Sequence, residues 1–471
     1  MLFNSLSFYA VFIAFLAIYA VLYRTSRTLM MLYVTLFSLY FFARMNPGVA
    51  TLLPLTALLS WSMVRRMNEC KGRQRRGWLA FIVAVDLLPL LYFKYANFGM
   101  DMLGRLLHEN FPLAETVLPV GISFYTFQAI SHAVDVYRRR LRLKMDFLEY
   151  LFYLSFFPLL LAGPITRAGH MLKQIREHAP VDARLLYTGM WLVMMGVLKK
   201  CVVADYVAQF NNWAFEEPAL YNGVELLMAA FGFSVQIYCD FSGYSDMSIG
   251  IAAMMGFRLR ENFNLPYQSL NISEFWRRWH ISLSTWFRDY VYIPLGGNRV
   301  GRVRMYMNNF LTMLVAGLWH GSTLMFALWG ALHGAALVAH KMCRNLFLGR
   351  LPSHSLSVTV LSWLLFQSFL LLTWVFFRSA DVGTAMLFLR RIVTEFDVDC
   401  IPAFLSQRPL WVAMVFGAML VHGIRERWFY RLQEYFIALP WWCKSLLLLL
   451  VLQLAIELGG SEVQPFLYYK F

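Results

Sequence analysis

Leu6-Ser-Phe-Tyr-Ala-Val-Phe-Ile-Ala-Phe-Leu-Ala-Ile-Tyr-Ala-Val-Leu-Tyr23 runs without an acidic or basic residue and stops at Arg24. Eighteen residues in helical form reach about 27 Å, close to the hydrocarbon thickness of a bilayer, about 30 Å. No small-x-small cleavage pattern follows the run, so it reads as a retained first transmembrane helix and not as a removed leader.

The same pattern recurs outward along the chain. Apolar windows of bilayer length lie near 28–43, 49–64, 79–97, 147–162, 185–205, 224–255, 304–318, 323–341, 358–377, 409–423 and 440–459. They predict an all-α, polytopic integral membrane protein of roughly ten to twelve transmembrane, re-entrant or interfacial helices. No polar interval of domain size separates them, so residues 1–471 read as a single membrane domain. Composition agrees: 59% of the 471 residues are hydrophobic and 15% charged, against about 45–50% and 25% in soluble domains. The 42 Lys and Arg against 27 Asp and Glu leave a net charge of +15. In so apolar a chain this excess belongs to basic loops facing anionic lipid headgroups, not to nucleic-acid binding. Six scattered cysteines form no CxxC pair, so neither a disulfide framework nor a zinc site is indicated.

The basic residues set an orientation. Arg24 and Arg27 follow the first run, and Arg65, Arg66, Lys71, Arg73, Arg75 and Arg76 follow the third; both loops read as cytoplasmic. Arg425, Arg427 and Arg431 mark another cytoplasmic loop before the last run. The N- and C-termini are therefore expected on the outer, periplasmic side of a bacterial inner membrane.

Residues 256–303 break the membrane pattern. Ten or more charges there, among them Arg277, Arg278 and Arg299, interleave with Trp276, Trp279, Trp286, Phe287, Tyr290 and Tyr292. One or two interfacial amphipathic helices with inward aromatics account for this. Polar groups inside apolar runs are functional candidates. His320 in Gly317-Leu-Trp-His-Gly321 is the sharpest, followed by His333; each could equally bridge two helices by a hydrogen bond. His280 has the residue type of a general base at neutral pH, or that of a satisfied interfacial histidine. Asp240 and Asp246 either line an ion path or pair with arginines of 256–303. Gly and Pro in Pro119–Phe124 and Ala162–Arg167 predict broken or re-entrant helices. No Walker A, dinucleotide glycine, HExxH or GxSxG motif is present.

Five segments together, Leu118-Pro-Val-Gly-Ile-Ser-Phe-Tyr-Thr-Phe-Gln128, Asp240-Phe-Ser-Gly-Tyr-Ser-Asp246, Glu274-Phe-Trp-Arg-Arg-Trp-His-Ile-Ser-Leu-Ser284, Leu295-Gly-Gly-Asn-Arg299 and Gly317–Gly321, closely resemble the membrane-bound O-acyltransferase superfamily, in its bacterial alginate O-acetylation branch. The match is strongest over residues 80–340. The resemblance implies a helical funnel that admits an acyl donor, acetyl-CoA, from the cytoplasm to a buried histidine. His320 matches the family's catalytic histidine, and His280 its second position, held by His or Asn in different branches. Arg277, Arg278 and Arg299 are candidates for the donor's phosphates, and positive-inside topology accounts for them equally well. No metal is implied. Residues 466–471 are similar to an FxYxxF tail of this branch and of the small partner peptide in teichoic-acid D-alanylation, which implies that Tyr468 carries the acyl group outward. The implied partners are a periplasmic esterase-like O-acetyltransferase or relay subunit and a polysaccharide synthase or export complex.

Two other classes share these features. A transporter or channel would use Asp240, Asp246 and His320 as a conduction path, and a relative acting on peptidoglycan, on lipid or in D-alanyl transfer would share the fold. A terminal aromatic cluster is also an ordinary headgroup anchor. Tyr468→Phe separates anchor from relay, because it keeps the ring and deletes only the hydroxyl. The relay predicts that acetyl transfer to an outer acceptor is lost and that no label from radioactive acetyl-CoA enters the C-terminal peptide; transfer at the wild-type rate would leave the tail an anchor.

Overall fold

The computed structural model describes residues 3–109, 111, 117–141, 144–178, 181–346 and 355–458, and every regular element among them is helical. The predicted tail carrying Tyr468 lies outside the described residues. The chain falls into two compact units: residues up to Val193 with Tyr244–Arg260, and Met194–Gly243 with residues from Glu261 onward.

The first unit holds α1 (Leu6–Thr25), α2 (Arg27–Met45), α3 (Leu52–Glu69), α4 (Gly72–Leu107), α5 (Ile122–Tyr137), α6 (Phe147–Ser155), α7 (Phe157–Leu160), α8 (Ala168–Glu177) and most of α9 (Ala183–Val197). Phe8, Phe12, Phe15 and Tyr19 follow the spacing of one helix face. They are buried, each ring stacks on the next, and Phe12 and Phe15 meet the edge of Phe157. Ile13, Ile18 and Val21 point the other way and are exposed, as lipid-facing side chains must be in a membrane helix. At one end of the unit the buried carboxylate of Glu149 binds Arg27 of α2 at 2.6 Å and Arg176 of α8 at 2.8 Å.

The expected run at 147–162 is broken. Phe156 leaves helical geometry and Pro158 lies in the single turn α7, after which Leu161–Arg167 continues without helix and is buried as far as Thr166. Carbonyls freed in this way need donors when no water is at hand. Tyr153 Oη donates to the Thr166 carbonyl at 2.9 Å, and Ser245 and Ser248 donate to those of Ala162 and Pro158 at 3.3 and 2.5 Å. At the start of α5, Gly121 adopts φ +85°, and a Cβ there would press on the Leu160 carbonyl oxygen at 2.6 Å.

The second unit begins in the middle of one long helix. α9 runs through a π-helical stretch, Leu198–Ala204, into α10 (Asp205–Glu216). α11 (Gly223–Met254) passes from this unit into the first after Gly243. Then come α12 (Ile272–Arg278), α13 (Ile281–Phe287), α14 (Arg302–His320), α15 (Leu324–Leu346), α16 (Leu356–Arg378), α17 (Val382–Thr394), α18 (Ile401–Gln407), α19 (Pro409–His422), α20 (Glu426–Ala438) and α21 (Trp441–Leu458). As the sequence pattern predicts, 256–303 forms short helices with Phe275, Trp279, Trp286 and Phe287 buried and Arg277 and Arg288 exposed.

Among the described residues eight helices are long and apolar enough to cross a membrane, nine if α18 and α19, bent by 95°, count as one. The runs at 304–318 and 323–341 are not among them. They form α14 and α15, an antiparallel hairpin. Gly317 faces Phe326 and Gly330, Gly330 faces the Met313 carbonyl, and Gly334 faces Phe310. Lys341 Nζ donates to Asn309 Oδ1 at 2.6 Å nearer the open end. A Cβ on Gly330 would lie 2.6 Å from the Met313 oxygen, so Gly330→Val is expected to lower stability by about 1–3 kcal/mol through overpacking. The thermal midpoint of the detergent-purified protein measures this; Gly417→Val, at a glycine with open space around it, should leave the midpoint within error.

Candidate active site

His320 is the last residue of α14 and stands at the closed end of the hairpin, just before the turn Gly321–Thr323. It is 2% exposed. Its ring lies 4.9 Å from Trp319, 5.1 Å from Trp329 at 89°, and 5.7 Å from Phe377, between centroids. Trp319 in turn faces His280 at 6.0 Å. The two histidines that the sequence singled out, forty residues apart, thus flank one tryptophan.

His280 lies between α12 and α13 with φ +43° and ψ 54°. This left-handed backbone is disfavoured for a residue with a Cβ and is held by its surroundings. Its side chain is fully buried, with Phe241 edge-on at 4.5 Å. Burial pushes its pKa down to about 3, so the ring is neutral at physiological pH. His280 Nδ1 is 3.2 Å from Asn262 Oδ1. A neutral imidazole carries one N–H and one lone pair and so can accept a proton.

His333, one helix face away on α15, serves the alternative role that the sequence left open. Its Nε2 is 3.2 Å from Thr373 Oγ1, whose own hydroxyl is given to the Leu370 carbonyl at 3.0 Å. Thr373 therefore accepts from His333, and the pair ties α15 to α16. The Trp329 ring, at 4.4 Å from His333, continues the aromatic contact from His320.

Asp240 is engaged by a lysine. Lys200, in the π-helical stretch, places its ammonium 2.5 Å from Asp240 Oδ1 and 2.7 Å from Asp205 Oδ1, with all three side chains buried. This fixes the register of α11, and the next residue, Phe241, is the ring that packs against His280. Sequence reading missed Lys200, although the rule that selected Asp240, an ionisable group in an apolar run, applies to it equally. Asp246 falls in the part of α11 that belongs to the first unit.

The arginines separate. Arg278 is bound to Glu274, Nη2 to Oε1 at 2.9 Å within α12, while Arg277 and Arg299 are exposed. A cavity of about 670 Å³ opens beside the start of α14, lined by Leu295, Arg302, Arg304, Met307 and Leu311 among others. Among the described residues no group of three His, Cys, Asp or Glu side chains is placed to hold a metal ion.

The sequence profile of the membrane-bound O-acyltransferase (MBOAT) family matches residues 131–377, a stretch that contains both histidines and all three arginines. The chain belongs to this family. Within it, the probable alginate O-acetylase of Pseudomonas putida is 37% identical over 420 residues, 84% of each chain. The probable alginate O-acetylase of Pseudomonas aeruginosa is 41% identical over 321 residues, 67% of this chain and 60% of that one. The peptidoglycan O-acetyltransferase of Helicobacter pylori is 33% identical over 389 residues, 77% of this chain and 73% of its own length. The matched stretch thus spans about three fifths of the Pseudomonas aeruginosa relative. The MBOAT match ends before residue 466, so the terminal aromatic tail rests on its own sequence pattern.

Removing one partner of a buried ion pair costs about 3–5 kcal/mol, because the remaining charge is left uncompensated. Lys200→Met is therefore expected to lower the yield of folded protein and its thermal midpoint sharply. A variant as stable as wild type would mean that Asp205 and Asp240 are held by other groups.

Proposed function

We propose that this chain is a membrane O-acetyltransferase that takes acetyl from a cytoplasmic thioester, acetyl-CoA, and delivers it across the inner membrane for O-acetylation of an extracytoplasmic polysaccharide such as alginate or cellulose. The observation that carries the reading is the position of His320: a buried imidazole at the closed end of a hairpin whose open end bears Arg302, Arg304 and Lys341. Charged groups settle at headgroup level. From Asn309, the partner of Lys341, α14 climbs about 16 Å to His320, roughly half of a 30 Å hydrocarbon layer. A donor entering from one side and a hydroxyl from the other would meet there without either crossing.

In this reading the acceptor hydroxyl attacks the thioester carbonyl. A C–O bond forms, the C–S bond breaks, the hydroxyl proton passes to His320, and the departing thiolate takes it to leave as the thiol. His280 assists beside Trp319. Tyr468 is the proposed first acceptor; a phenol titrates near 10, so it needs a base within reach to attack at neutral pH. A periplasmic esterase-like transferase would then move acetyl to the polymer, in company with a polysaccharide synthase or export complex. Arg277 and Arg299, together with Arg302 and Arg304 at the cavity, are the exposed guanidinium groups available to the donor's phosphates.

Peptidoglycan is the second reading for the acceptor, favoured by the Helicobacter pylori relative, which aligns over 73% of its length. The conduction-path reading loses support, since Asp240 is engaged by a buried lysine.

His320→Ala tests the reading. With radiolabelled acetyl-CoA and the purified protein, acetyl transfer is expected to fall by about 10²–10⁴-fold, the contribution of a positioned general base, while the thermal midpoint stays near that of wild type. Transfer within a few-fold of wild type would remove His320 from the chemistry.

A further inference from the structure

Asn262, between α11 and α12, is 1% exposed and makes contacts that bear directly on His280. Its backbone carbonyl accepts the Ile281 N–H at 2.9 Å. Its side-chain Oδ1 is reached by three groups: the Ser282 backbone N–H at 3.1 Å, Ser282 Oγ at 2.9 Å and His280 Nδ1 at 3.2 Å. A backbone N–H can only donate, so the Asn262 atom it meets must be the amide oxygen and not the NH₂ group. The same oxygen then accepts from Nδ1, which must carry the ring's proton. In a neutral imidazole the lone pair is left on Nε2.

Nε2 of His280 is fully buried and has no hydrogen-bond partner among the described residues. The rings around the imidazole are Phe241, Phe263 and Trp319, at 4.5, 6.3 and 6.0 Å between centroids. A buried acceptor left unmet costs free energy, and His280 also holds a left-handed backbone that the Asn262 contacts to residues 280–282 help to secure. What sets His280 apart from a histidine such as His333 is that the unmet nitrogen comes with a left-handed backbone and with an acceptor that fixes which nitrogen carries the proton.

We infer that Asn262 is a positioning residue that locks His280 in the Nδ1–H form, so that Nε2 acts solely as a hydrogen-bond acceptor for the hydroxyl of the acyl acceptor. This rests on the acyl-transfer reading above and narrows it: His280 orients the hydroxyl whose proton passes to His320, and does not donate to the thioester oxygen as negative charge develops there.

Solid-state NMR of the full-length protein, labelled with ¹⁵N-histidine and reconstituted in lipid bilayers at pH 7, reads the tautomer directly. The His280 signals are those missing from His280→Asn. Wild type is expected to show a proton on Nδ1 and none on Nε2, Asn262→Asp to keep that pattern because a carboxylate still accepts, and Asn262→Leu to lose it. Acetyl transfer from acetyl-CoA should fall about 100-fold in Asn262→Leu, within the range that a positioned acid or base supplies, and recover to within a few-fold of wild type in Asn262→Asp. A proton on Nε2 in wild type overturns the inference without any variant, as does an unchanged tautomer in Asn262→Leu. The expected tautomers with no acetyl transfer by wild type would uphold the role of Asn262 and bring down the acyl-transfer reading alone.

Discussion

A polar atom in hydrocarbon finds no water and must be met by another atom of the protein. Much of this structure answers to that one constraint. In the first unit it explains why a non-helical stretch at Leu161–Arg167 can exist at all: hydroxyls from Tyr153, Ser245 and Ser248 reach the carbonyls that the broken helix releases. In the second unit it explains why Lys200 stands between two carboxylates, and why Thr373 is the partner of His333. Nε2 of His280 is one of the buried side-chain atoms among the described residues that no hydrogen bond meets, and it stands beside the candidate site. Exceptions to a local rule are where function is to be sought.

The geometry of the site follows from close packing more than from any single strong bond. Glycines at 317, 330 and 334 let α14 and α15 approach until backbone touches backbone. The turn at their end is thereby closed and rigid, and His320 is presented from a helix terminus instead of from a loop. The ring contacts linking Phe241, His280, Trp319, His320, Trp329 and His333 then form one continuous aromatic layer. Both histidines are buried within it, and burial in so apolar a setting strengthens any electrostatic interaction made there.

The helical membrane fold was legible from apolar run length alone, since α1, α2, α11, α16 and α21 lie within a few residues of the runs that predict them. Run length alone does not make a span: α14 and α15 are long enough but not apolar enough to count among the eight, and the small residues that face each other across them are spatial pairings that no window reads. The short helices of 256–303, with their aromatic rings buried, were legible from the interleaved charges and aromatics. His320 and His280 were legible by residue type and motif, but their shared neighbour Trp319 was not, nor was Asn262, an ordinary polar residue in a loop whose importance lies in which atoms it meets. Lys200 was legible by rule and overlooked. The extra helices α17, α18 and α20 carry mixed amphipathic patterns that no window of bilayer length selects.

The π-helical stretch in the long helix gives the segment a property of its own. In a regular α-helix, residues five apart point about 140° away from each other. The wider turn, closed by the Asp205 N–H on the Lys200 carbonyl, brings positions 200 and 205 onto one side, where the Lys200 ammonium meets both Asp205 and Asp240. The ion cluster is thus encoded by one residue of extra length as much as by its three side chains. Between Leu198 and Ala204 the number of residues is constrained more tightly than their identity: exchange of one apolar side chain for another leaves the turn in place, but a shorter chain would relax to 3.6 residues per turn and carry Asp205 out of reach.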